Sequence, residues 1–143
     1  MVRVVVAGSR DVDGGHAALF VIDMIERITD PTVIMRRGRE TAPGPLEEAV
    51  AAECREVGIP IEWRVPAGGG REEVFYRDMD MVTKADLVLA VFSPERAMLG
   101  GTAHVVEKAM DIRVPAYAFT YNGQLERVGE FDPDNVWSAL IQA

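Results

Sequence analysis

The chain has 143 residues, 48% hydrophobic and 27% charged, with a formal net charge of −8. That length and balance suit one soluble globular domain. The acidic surplus argues against a uniform nucleic-acid surface, which requires clustered lysine and arginine. The single cysteine leaves no internal disulfide and no cysteine-ligated zinc cluster. No apolar run reaches the ~18 residues of a membrane span, and the opening MVRVVVAGSR lacks the long apolar core and cleavage pattern of a signal peptide. A cytoplasmic protein with neither membrane nor nucleic-acid partner is therefore expected, and no metal or cofactor is called for.

In chain order, VRVVVAG (2–8) is a β-branched run ending in glycine, the pattern of a buried strand. Helical spacing follows over 14–28, then a short strand over 31–38. Residues 45–57 read as a helix with Pro45 in its first turn and Gly58 at its end. A third strand over 59–66, a helix over 71–85 and a strand over 86–92 come next. The last of these, DLVLAVF, is the most apolar and hence central. A helix over 101–111 and a fifth strand over 114–120 complete the alternation. Residues 121–131 read as irregular, and 132–142 as a helix capped by Asp132 with Pro133 in its first position. Strands alternating with helices imply an α/β domain of three layers: about five parallel strands, covered by helices on both faces.

Ligands of such sheets bind beyond the carboxyl ends of the strands, where the winding reverses. Gly8-Ser9-Arg10 follows the first strand and matches neither G-x-G-x-x-G nor G-x-x-x-x-G-K-[ST]. Its backbone, hydroxyl and guanidinium still suit a phosphate or ribose; a tight turn with a solvated arginine is the plainer reading. Arg36, Arg37 and Arg39 surround Gly38 after the second strand, a local positive cluster in an acidic chain. Strand alternation would send only some of them inward. Gly100-Gly101-Thr102 opens the fourth helix, where free N–H groups favour an anion; alternatively Thr102 merely caps it. Arg77 stands four residues after Glu73, the spacing of a surface ion pair. His104 and His16 read as surface imidazoles, and Cys54 as a small core residue. Asp11, Asp13, Glu40 and Glu95 fall in the strand-end loops, and nothing in the sequence selects one as an acid or base.

Three segments carry a family likeness: VVVAGSRD (4–11), YRDMDMVTKADLVLAVF (76–92) and GGTAHVVEKAMDIRVP (100–115). Together they resemble the SLOG superfamily, which includes the LOG-type phosphoribohydrolases, DprA-like proteins and small stand-alone SLOG proteins. The resemblance implies a single Rossmann-like domain over residues 1–121; residues 122–143 lie outside it and are expected to form an extension whose short helix packs on the same domain. It also implies a nucleotide or nucleotide-derived ligand, ADP-ribose-like in some members. Carried over by position, Gly8, Ser9 and Arg10 would line that ligand, Arg77 would reach it, and Gly100, Gly101 and Thr102 would cradle phosphate. Gly38, Arg39 and Ser93 complete the expected binding set.

The departures are specific. The second-strand loop, MRRGRETAPGP (35–45), is bulky and basic where small relatives are glycine-rich, and Asp78 replaces a neutral amide. The phosphoribohydrolases carry a glutamate three residues after the threonine; here that residue is Val105, and Glu107 lies about 200° further around the helix. The first reading is therefore a sensor or sequestering protein that binds without turnover. The alternative is an N-glycosidase of the phosphoribohydrolase type, or a nucleoside deoxyribosyltransferase-like enzyme, using Glu40, Asp78 or Glu95 as its carboxylate. A third is an interaction protein whose ligand site has decayed. The first helix is apolar over a wide arc (Leu19, Phe20, Val21, Ile22, Met24, Ile25, Ile28), which suggests a homo-oligomer.

Overall fold

The structure is a computed structural model that describes residues 1–12, 14–93 and 100–121, together with the backbone of 125–128. Ten elements follow one another: β1 (Val2–Gly8), α1 (Gly14–Glu26), β2 (Pro31–Arg36), α2 (Pro45–Val57), β3 (Ile61–Arg64), α3 (Arg71–Thr83), β4 (Leu87–Phe92), α4 (Gly100–Asp111), β5 (Ala116–Tyr121) and β6 (Leu125–Val128). The sheet order is β3-β2-β1-β4-β5-β6. The first five strands of this order are mutually parallel, and β6 runs antiparallel to β5 with Ala118 opposite Val128. This is the expected Rossmann-like α/β architecture.

The strand residues divide by parity into two cores. Val4, Val6, Val33, Met35, Leu87, Leu89 and Val91 pack toward α1 and α2 with Ala18, Ile22, Ile25, Leu46 and Cys54. Val5, Ala7, Ile34, Val88, Ala90 and Phe92 pack on the other face with Met81, Val82, Val105, Val106 and Ala109 of α3 and α4. A side chain buried on either face is why these strands read as nearly continuous apolar runs. Each buried Val, Leu or Ile contributes about 1.5–3 kcal/mol relative to exposure.

The chain winds β1-β2-β3 outward in one direction, returns through α3, and winds β4-β5 in the other. The reversal lies between β1 and β4, which pair directly, with Gly8 opposite Val91. The carboxyl ends of these two strands open into the crevice that such a reversal creates.

Several expectations change: the third strand is confined to Ile61–Arg64, α3 stops at Thr83 and β5 runs from Ala116 to Tyr121. β2 ends at Arg36, so Arg37, Gly38 and Arg39 belong to the following loop. The helix expected over 14–28 stops at Glu26. The stretch expected to be irregular contains β6, whose backbone bonds extend the sheet beyond β5. The expected helix over 132–142, together with Asp13 and Glu95, lies outside the described residues.

Candidate functional site

A cleft of about 1150 Å³ lies over the carboxyl ends of β1 and β2 and between the N-termini of α2 and α4. Its floor is the turn after β1. Gly8 is buried there against α2: a Cβ at this position would meet Leu46 Cδ2 at 2.6 Å and Leu46 Cβ at 2.7 Å. Ser9 follows and is 6% exposed. Its N–H donates to the Val91 carbonyl at 3.0 Å, which ties the turn to β4. Its hydroxyl is buried with no protein partner among the described residues. An unpaired buried hydroxyl costs about 1–3 kcal/mol, so a ligand oxygen in the cleft would satisfy a standing need.

Arg36, the last residue of β2, spans the end of the sheet. Its Nη2 donates to Thr102 Oγ1 at 2.6 Å and to the Gly8 carbonyl at 3.3 Å. Its Nε lies 3.6 Å from Glu47 Oε2. Glu47 in turn accepts the Gly8 N–H through Oε1 at 3.0 Å. One arginine thus joins α2, β1 and α4. Glu47 is 3% exposed, and burial raises its pKa above the ordinary carboxylate value, against the opposing pull of Arg36 and the Gly8 N–H. The sequence reading placed Arg36 in a basic cluster without its bridging role and overlooked Glu47 as a site residue. Glu47 is the third residue of a helix that begins at Pro45, where a carboxylate often bonds backbone N–H groups; that position was the available signal.

On the opposite wall, Asp78 of α3 is 2% exposed. Its Oδ1 accepts from Arg77 Nε at 3.1 Å and lies 3.0 Å from Arg77 Nη2. Arg77 Nη1 also donates to the Arg37 carbonyl at 3.0 Å. Arg77 therefore braces the loop after β2, and the expected surface pair with Glu73 gives way to this arrangement. His104 is half-buried beside Asp78, with Nδ1 3.9 Å from Asp78 Oδ2, and so is not the surface imidazole expected.

At the mouth of α4, Gly100 has φ 84°, a left-handed conformation that glycine adopts without strain. Gly100 and Gly101 are exposed, while Thr102 is buried inside the first turn. Thr102 is thus not the cap: its Oγ1 is occupied as an acceptor by Arg36, which leaves its hydroxyl proton free to donate.

The structure brings Gly8, Ser9, Arg10, Gly38, Arg39, Glu40, Arg77, Asp78, Gly100, Gly101 and Thr102 to the lining of one cleft. Ser93 lies outside that lining; its Oγ donates to Asp11 Oδ2 at 2.7 Å, joining the ends of β4 and β1. Val105 is fully buried in the α3–α4 core, so the position that would carry a catalytic glutamate faces the sheet. Cys54 is buried on the core-facing side of α2, and burial pushes its thiol up to about 11.

Among the described residues, five guanidinium groups line the cleft (Arg10, Arg36, Arg37, Arg39, Arg77) against three carboxylates (Glu40, Glu47, Asp78). Arg36 and Arg77 are committed to Glu47 and Asp78, and Arg39 donates to the Ala67 carbonyl at 2.8 Å. The side chains of Arg10 and Arg37 are exposed and make no hydrogen bond or ion pair among the described residues. The cleft is therefore positive within an acidic chain. Among the described residues no group of three metal-ligating side chains converges, and no helix is long and apolar enough to cross a membrane.

No family model matches the chain, and comparison with curated proteins and with solved structures returns no match. Fold and cleft together are those of a Rossmann-like α/β domain, an architecture consistent with nucleotide binding in general.

Proposed function

We propose that this cleft binds a nucleotide-derived, ADP-ribose-like ligand through its phosphates and holds it without turnover, as a sensor or sequestering protein of the SLOG type. One observation carries the reading. Two uncommitted arginines, Arg10 and Arg37, line the same cleft as the open backbone of Gly100-Gly101 and the unpartnered Ser9 hydroxyl. A helix N-terminus, flexible guanidinium groups and a free hydroxyl are complementary to phosphate oxygens. The reading without turnover is supported by Val105, which stands in the core, and by the pairing of Glu47 and Asp78 with Arg36 and Arg77.

The test is titration calorimetry with ADP-ribose, followed by chromatography of the mixture. Binding with the ligand recovered intact supports the reading. Arg10→Ala with Arg37→Ala should weaken binding at least about tenfold, at unchanged melting temperature, and flatten its salt dependence. Release of a free base or a ribose phosphate would instead establish the N-glycosidase alternative, with Glu40, Asp78 or Glu95 as its carboxylate. The same reading is of a cytoplasmic protein that self-associates. Leu19 and Phe20 on α1 are 52% and 44% exposed, which supports a face between copies, and sedimentation equilibrium tests it.

A further inference from the structure

A second hollow, of about 520 Å³, adjoins the arginine cleft. Gly69, Val74, Asp78, Gly100 and Gly101 line both, so the two are continuous around the mouth of α4. Their chemistry differs. The cleft is rich in guanidinium groups; the hollow is walled by two rings, Phe75 of α3 and His104 of α4, with centroids 4.6 Å apart. Lys108 Nζ sits 5.1 Å from the Phe75 centroid. His104 and Lys108 stand four residues apart on one face of α4, so both approach Phe75 from the α4 side. Tyr76 meets the ring edge-on, with centroids 6.0 Å apart, and Phe75 is nonetheless 37% exposed, so part of its surface remains open. An exposed phenyl ring beside a phosphate-binding cleft is a platform on which a planar base can stack. Asp78 lies where the two compartments meet. Among the described residues its Oδ2 has no hydrogen-bond donor, and His104 Nδ1 stands 3.9 Å from it.

We infer that the hollow is a nucleobase subsite, in which Phe75 and His104 pack against an aromatic base while the phosphate of the same ligand occupies the arginine cleft. The ligand class is then a nucleotide with its base attached, rather than a bare sugar phosphate. A base carrying an exocyclic amine suits the site best, because Asp78 offers an acceptor. The inference rests on the phosphate-binding reading of the cleft and extends it.

The two can fail separately. Titration calorimetry with ribose 5-phosphate reads the cleft alone, and AMP reads cleft and hollow together. The expected result is that AMP binds at least about fivefold more tightly than ribose 5-phosphate, the lower end of what one stacked base contributes. Phe75→Ala should bring AMP down to the affinity of ribose 5-phosphate and leave the latter unchanged. Should that variant fail to fold, Phe75→Leu keeps apolar volume without the ring and must still lose most of the gain. Equal affinities in the wild-type chain, or a preference for AMP that survives both substitutions, would overturn the base subsite and leave the cleft standing. Failure of both probes to bind removes the phosphate reading and this inference with it.

Discussion

Replacement of Glu47 separates two roles that the structure assigns to one carboxylate. Glu47→Ala leaves the buried Gly8 N–H without its 3.0 Å acceptor and Arg36, whose side chain is 14% exposed, without its carboxylate. An unsatisfied buried donor costs about 1–3 kcal/mol, and breaking a buried ion pair about 3–5 kcal/mol. The two overlap, and Arg36 keeps Thr102 and Gly8 as acceptors, so a net loss of about 3 kcal/mol is expected. For a chain of this size that lowers Tm by about 6–12 °C. Glu47→Gln keeps a polar acceptor for Gly8 and Arg36 but removes the counter-charge of Arg36, so its loss should be clearly smaller than that of Glu47→Ala without vanishing. The pH dependence follows the raised pKa. The folded chain retains a proton that the unfolded chain releases, so the contribution of Glu47 to stability falls as pH rises from the ordinary carboxyl value through the raised one. Glu47→Gln should abolish that fall. Thermal denaturation followed by circular dichroism between pH 4 and pH 8 (about the carboxyl range and beyond it) measures both effects. Equal Tm losses for the two variants, or an unchanged pH profile in Glu47→Gln, would refute this account of the Gly8–Glu47–Arg36 connection.

Three further outcomes follow from the same geometry. Thr102→Val removes the oxygen that accepts from Arg36 at 2.6 Å and should cost about 1.5–3 kcal/mol, read by urea denaturation; it should also weaken ADP-ribose binding. Cys54 is buried with its thiol pushed up to about 11, so a thiol-specific disulfide reagent at neutral pH should leave the native chain unlabelled and label it fully in denaturant. Gly8→Ala places a methyl group against Leu46 and should destabilise by roughly 1–3 kcal/mol through overpacking, visible as a lower denaturation midpoint.

Much of the fold was legible because strand parity and helix spacing agree at nearly every element. Val4 and Val6 fall on one face of the sheet and Val5 and Ala7 on the other, so a two-sided core is written into VRVVVAG itself. β6 was not legible: LERV is four residues long, and its pairing with β5 is a tertiary fact with no local signal. The cleft was legible in its glycines and its basic loop, through the rule that ligands gather where strands end. Which arginine does what was not. Arg36, Arg37 and Arg39 look equivalent in sequence, yet only Arg36 lies on the strand and bridges α2 to α4, while the following loop leaves Arg37 exposed. Glu47 and Glu48 both look like carboxylates complementing a helix dipole. Only the packing of Leu46 against Gly8 carries Glu47 beneath the cleft. Arg77 left its helical neighbour Glu73 because the Arg37 carbonyl and the Asp78 carboxylate meet it on the cleft side.

The measurement that bears most directly on phosphate recognition in the arginine cleft is an amide chemical-shift titration of isotope-labelled protein with ADP-ribose. The account predicts saturable shifts concentrated at Gly8, Ser9, Gly100 and Gly101, abolished when Arg10 and Arg37 are both replaced by alanine. Shifts clustered on another face of the sheet, or none at saturating ligand, would contradict it.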